Sequence, residues 1–239
     1  MSKKSSFIIA ICALVTSFFA SDSFSKDIKA EGVLQVYWKP NWSDEGRLLK
    51  PYLMMRFFEI KNDQSKVINL YESKNKKNIK DDFNVDSTYK IINEQFKNIP
   101  AEFIKYQEGH LEQPGVLIYS NDFKMTECNN QHDYAKFKSF KANHSEVHNL
   151  SEVEKKSGCD SQPWQMMYTV KDGGKSVFLK SEPSVSSKNV YTKAIDMPLV
   201  KIKTIDNEWV YVAIYDASMR NSMSDIRGYL KVKDLDLVN

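Results

Sequence analysis

Cys128 and Cys159 bracket a segment that also carries His132, His144 and His148. These five side chains have the types and spacing that offer chemistry. In an oxidising compartment an even pair of cysteines reads first as a disulfide, here closing a loop of about 30 residues worth roughly 3 to 4 kcal/mol in the chain-entropy model. The same residues form a soft and borderline ligand set suited to zinc. "HSEVH" would put His144 and His148 on one helical face. Glu146 is the middle residue, however, and would point away from that face, unlike the glutamate of the His-Glu-x-x-His zinc peptidases. A thiol protease needs a reactive cysteine at a helix start with a histidine downstream, whereas Cys128 lies in a polar loop with a disulfide partner at hand. No carboxylate pair stands in the context of a glycosidase acid and base. His110, next to Gly109, reads as a surface residue in a turn. The expectation is a Cys128 to Cys159 disulfide, with no catalytic residue, metal or cofactor.

The oxidising compartment is inferred from the other end of the chain. Lys3 and Lys4 precede an apolar run from Phe7 to Ala20, and the small and polar "SDSFSK" follows. That order is a secretory signal peptide, read as residues 1–23. About 14 apolar residues rise only ~21 Å as a helix, short of a hydrocarbon core of ~30 Å, so no permanent membrane anchor is expected. Cys12 leaves with the signal. The formal charge of +3 becomes +2 once Lys3, Lys4 and Asp22 are removed. A nearly neutral surface gives no electrostatic reason to expect nucleic acid. The chain reads as exported, to the periplasm or the medium.

The elements that must hold these residues are mostly β. "GVLQVYWK" alternates as a strand, and "YLMMRFFEI" with "KVINLYE" reads as a hairpin around Asn62, Asp63 and Gln64. Val85, Tyr89, Ile92, Phe96 and Ile99 recur at spacings of four and three ahead of Pro100, which predicts one amphipathic helix with a packing stripe. "EFIKYQ", "GVLIYS" and "YAKFKSFK" read as further strands. Ser151 with Glu154 forms a capping box, and Gly158 suits the position past a helix end. "WQMMYTVK" is expected to pair with "SVFLK" across "DGG". The organisation read is an α+β domain of unknown type over 24–172, then a small β-barrel over 173–239.

That last stretch is the most patterned. "VFLK", "NVYTKA", "LVKIKTI", "EWVYVAI" and "RGYLKV" are short strand-like runs at small intervals, the mark of a small closed barrel. "FLKSEPSVSSKNV" resembles the start of bacterial SH3-like (SH3b) domains, with Lys180, Ser181, Glu182, Pro183 and Ser184 in the Arg-Ser-Gly-Pro-Ser-type loop. "LVKIKTIDNEWVYVAI" is similar to the family's central hairpin with a Trp past its turn, and "RGYLKVKDL" to its closing Gly-Trp-Val, with Tyr229 for the Trp. The resemblance covers Ser176 to Leu235. Glu182 departs from the usual Gly, which argues against a positive φ there, and "DASMRNSMSDI" lengthens the last hairpin and sets Met219 and Met223 near its tip.

The resemblance implies a non-catalytic module that docks a cell-wall peptide, an envelope protein or a neighbouring domain. Trp209 and Tyr229 are its candidate binding residues, with barrel packing as their competing role. An immunity or inhibitor protein that neutralises a toxin or wall hydrolase fits the same features, and a wall-active hydrolase fits them least. Mass measurement of the mature exported protein is expected to show no free thiol before reductant and two after it, from Cys128 and Cys159. Two alkylatable thiols in unreduced protein would revive the zinc reading.

Overall fold

The computed structural model describes residues 26–61, 65–72, 85–127, 130–143, 150–171, 177–191, 195–219 and 221–238. The chain is mostly β. Five strands form the first unit: β1 (Ile28–Trp42), β2 (Leu48–Glu59), β3 (Lys66–Tyr71), β4 (His110–Glu127) and β5 (Asn130–Ala142). They close into a barrel in the order β1-β2-β3-β5-β4, with β4 paired back onto β1. All neighbours run antiparallel except β3 and β5, which are parallel.

The alternation of β1 sets both of its faces. Leu34, Val36 and Trp38 point into the main core with Met55, Phe57, Ile68, Leu70 and Leu117, whereas Val33 packs with Phe58, Leu150 and Val153 in a separate cluster. The helical stripe plugs this barrel. In α1 (Val85–Gln95) and just beyond it, Ile92 and Phe96 are buried in the main core, and Tyr89 and Ile99 pack against it.

"EFIKYQ" does not form the expected strand. Residues Ala101–Lys105 make the short helix α2, entered through Pro100 at φ −60° and ψ 137°. Its reason is tertiary: Phe103 is buried, and its carbonyl accepts a 2.8 Å hydrogen bond from Trp38 Nε1. α3 (Ser151–Glu154) stands where the capping box predicts a helix, and a 3₁₀ segment, Lys155–Asp160, continues it through Gly158. No helix of the described residues is long and apolar enough to cross a membrane.

The second unit is a five-stranded sheet in the order β10-β6-β7-β8-β9. Its strands are β6 (Met167–Val170), β7 (Leu199–Thr204), β8 (Trp209–Tyr215), β9 (Met223–Lys231) and β10 (Leu235–Val238), with a 3₁₀ turn, Val232–Asp234, before the last. Tyr168, Leu179, Leu199, Val210, Val212, Leu230 and Leu235 share its core. The expected hairpin of "WQMMYTVK" with "SVFLK" is replaced: β6 pairs with β10 and β7. The sheet thus begins at Met167, before the boundary read at 172/173. Among the described residues "VFLK" and "NVYTKA" yield only single bridges, from Lys180 to Asn189 and to Tyr229. Gly228 permits this contact, because a Cβ there would meet Lys180 O and Leu179 Cβ at 2.8 Å.

Gly32 and Gly115 face each other across β1 and β4. A Cβ on Gly32 would lie 1.9 Å from Phe58 O, and one on Gly115 would lie 2.4 Å from Lys141 O. The barrel closes tightly here only because neither residue has a side chain. Gly32→Ala is expected to destabilise the protein by about 1 to 3 kcal/mol, the usual penalty of overpacking, read as a lower urea midpoint. An unchanged midpoint would mean that the strands can separate at no cost.

Candidate functional site

In the second unit, the turn Asp206 to Glu208 aims Trp209. Asp206 Oδ1 accepts from the backbone N–H groups of Glu208 and Trp209, both at 2.8 Å, which fixes the start of β8. Opposite it, the loop after Lys180 is stapled by Ser187. Its hydroxyl lies 3.0 Å from Glu182 O and 2.9 Å from Ser184 O, while Ser181 N–H donates to Lys188 O at 2.9 Å. Glu182 is absent from the positive-φ residues, in keeping with its side chain. The stapled loop holds Val185 outward at 66% exposure.

Between these parts lies an open groove of about 320 Å³, lined by Phe178, Val185, Trp209, Tyr229, Lys231 and Asp234 among others. The structure brings Trp209 and Tyr229 together in this groove, but they differ. Trp209 is 7% exposed, with Lys231 Nζ 5.5 Å above its ring. Tyr229 is half-buried and rests against Tyr211 with ring centroids 4.7 Å apart. Among the described residues Lys180, Lys231 and Lys233 line the groove with one carboxylate, that of Asp234. Lys180 Nζ donates to Ser187 O at 3.2 Å, and Lys231 and Lys233 make no ion pair among the described residues. The groove therefore joins an aromatic wall to a cationic rim.

Sequence reasoning missed Val185, Lys231 and Lys233. Val185 had a signal, a lone branched apolar residue in a serine-rich loop. The lysines had none, because only folding sets 180 beside 231.

His110 is exposed, as read, and is also half of a second arrangement. Its ring packs on Trp164 with centroids 4.0 Å apart, and its Nε2 lies 3.5 Å from Glu112 Oε1. Gln35 Nε2 donates to Glu112 at 2.8 Å, and Gln35 Oε1 accepts from Arg56 Nε at 2.6 Å. Arg56 is 1% exposed; it also donates to Ser161 O at 2.9 Å and sits 5.3 Å from the Trp164 ring centroid. The His110 pKa is lowered from 6.5 to about 4, chiefly by burial, with the Glu154 charge opposing the shift and the Arg56 charge adding to it. Although part of the ring still meets solvent, the packed neighbours set that direction.

His132 is buried on β5 opposite Met125. Cys128, His144 and His148 lie outside the described residues, as does the side chain of Cys159, so the disulfide and zinc readings fall there. Among the described residues no group of three or more His, Cys, Asp or Glu could hold a metal. No family model matches the chain, and neither a curated protein nor a solved structure matches it.

The His110 site carries a pH dependence. The folded-state pKa lies below the unfolded value, so the unfolded chain takes up the proton first. Stability present at neutral pH is then lost as pH falls from 6.5 through about 4. His110→Phe keeps a ring against Trp164 and is expected to flatten this part of the stability profile. Urea midpoints across that window check it, and an equally steep profile in the variant would assign the loss to other groups.

Proposed function

We propose that the chain is an exported, non-catalytic binding protein whose C-terminal SH3-like barrel docks a cell-wall peptide or an envelope protein. The observation that carries this reading is the groove of Trp209 and Tyr229 between the stapled Ser181 to Ser187 loop and the 3₁₀ turn Val232–Asp234. Support for the SH3-like assignment comes from the small sheet β10-β6-β7-β8-β9 and the loop that bridges onto β9 at Tyr229. An aromatic surface beside a fixed loop gives large contact area at small entropy cost.

The first unit is read as an OB-type barrel, five strands in Greek-key order with β5 inserted between β3 and β4. Architecture alone does not assign it a ligand, so it serves here as the rigid body that carries the groove. Three lysines against one carboxylate favour a peptide that bears carboxylates. Neutralisation of a toxin or wall hydrolase remains the alternative use of the same surface.

Val185→Asp tests the reading with little risk to the fold, because the residue is exposed. It is expected to weaken co-sedimentation with purified cell wall, or capture of the envelope partner, about tenfold with an unchanged melt. Trp209→Ala is a poor test, since loss of a buried aromatic costs about 3 to 5 kcal/mol. Unaltered docking by Val185→Asp would remove the groove from the function. Steady release of wall fragments by the purified protein would replace binding with hydrolysis.

A further inference from the structure

A second, separate concavity lies between the two units. This half-open crevice of about 160 Å³ is bounded by Trp38, Pro51 and Tyr106 of the first unit and by Trp164, Tyr168 and Lys201 on the other side. Its walls are held from behind. Trp38 Nε1 donates to Phe103 O, Tyr106 Oη donates to Ile205 O at 2.7 Å, and Trp164 is clamped between His110 and Arg56. Such walls need no ordering when a ligand arrives.

The polar groups lie together on one side. The Glu108 carboxylate accepts from Thr204 N at 2.6 Å, Thr204 Oγ1 at 2.7 Å and Lys201 Nζ at 2.5 Å. A carboxylate has about four acceptor sites, so these three bonds leave one on Oε1. Lys201 has three N–H donors; Glu108 takes one, and Met166 Sδ at 3.9 Å takes another weakly. One acceptor and one donor thus remain beside each other, both side chains being 12% exposed. The Tyr168 hydroxyl, in a residue 9% exposed, makes no hydrogen bond among the described residues and stands within reach of the Glu108 charge.

We infer that this crevice receives the phenol ring of a tyrosine from a partner protein, its hydroxyl donating to Glu108 and accepting from Lys201. The size fits one ring, since an engineered cavity of about 150 Å³ binds benzene. The spare donor and acceptor distinguish tyrosine from phenylalanine, because only a hydroxyl satisfies both. A sugar ring carries hydroxyls around its edge, and the aromatic walls would leave most of them unpaired. A protein source is favoured by the mouth: Leu48 lines it, and Leu48 and its neighbour Leu49 are each 46% exposed, an apolar rim that a free phenol would leave uncovered.

The test titrates the full mature protein with p-cresol, toluene, methyl glucoside and N-acetyl-tyrosinamide, following the Trp164 indole N–H and Met166 methyl signals by NMR. Saturable shifts are expected, with p-cresol about fivefold tighter than toluene, the value of one net hydrogen bond. N-acetyl-tyrosinamide should bind tighter than p-cresol, and Leu48→Asp should erase that advantage without changing the melt. Lys201→Met should remove the preference for p-cresol over toluene; if it does not fold, the probe series on the parent protein still decides. Tyr229→Ala should leave all four affinities unchanged, which separates this site from the groove. Absence of saturable shifts, or equal affinity for toluene and p-cresol, would overturn the inference. Tighter binding of methyl glucoside would make the crevice a sugar site, and p-cresol tighter than N-acetyl-tyrosinamide would make the ligand a free phenol; either result rejects the partner tyrosine.

Discussion

A guanidinium with almost no contact with water fixes how this molecule is put together. Arg56 sits on β2 of the first barrel, but its hydrogen bonds reach Gln35 on β1 and Ser157 and the Ser161 carbonyl more than a hundred residues away. A charge removed from water is tolerated only when its donors are satisfied, so the segment after α3 has little freedom to leave. The rings of Tyr37, Phe58 and Trp164 surround the same cation at 4.8 to 5.4 Å. Three residues beyond Trp164 the first strand of the second sheet begins. Its position therefore follows from a contact made by the first barrel.

Glu108 completes the join from the other side. It leaves the α2 to β4 connection and ends on Thr204 and Lys201 of β7, while Tyr106 binds the Ile205 carbonyl. The two attachments bracket β6 and β7, the strands nearest the first barrel. β8, with Trp209, and the edge strand β9, with Tyr229 and the loop that bridges to it, carry the groove. The groove and the structural seam thus lie on different strands of one small sheet. The first barrel has no free edge to manage, because β4 returns to β1.

The strands of the first barrel were legible as short apolar runs. "GVLQVYWK" and "YLMMRFFEI" announce β1 and β2 because both faces of each are buried, one in the main core and one under α3. The stripe of Tyr89, Ile92, Phe96 and Ile99 announced its helix for the same reason. "EFIKYQ" misled, since six residues hold too little periodicity to choose between strand and helix, and the burial of Phe103 under Trp38 decided the matter. "SVFLK" misled differently: Leu179 is fully buried and Val177 packs against the core, but among the described residues its backbone forms a bridge only at Lys180.

By itself the sequence determined the apolar pattern, the turns and the aromatic residues of the groove, because these depend on neighbours a few positions away. Asp206 capping the approach to Trp209 is such a local device. Only the tertiary structure decided which strands pair, that β6 belongs with β10 and β7, and that His110 lies on Trp164. Glu108 and Thr204 are 96 positions apart, and Arg56 and Ser161 are 105. Contacts of that span leave no periodic mark on the chain, since each partner needs only to be polar at one place, and burial in the folded molecule is what gives those single residues their consequence.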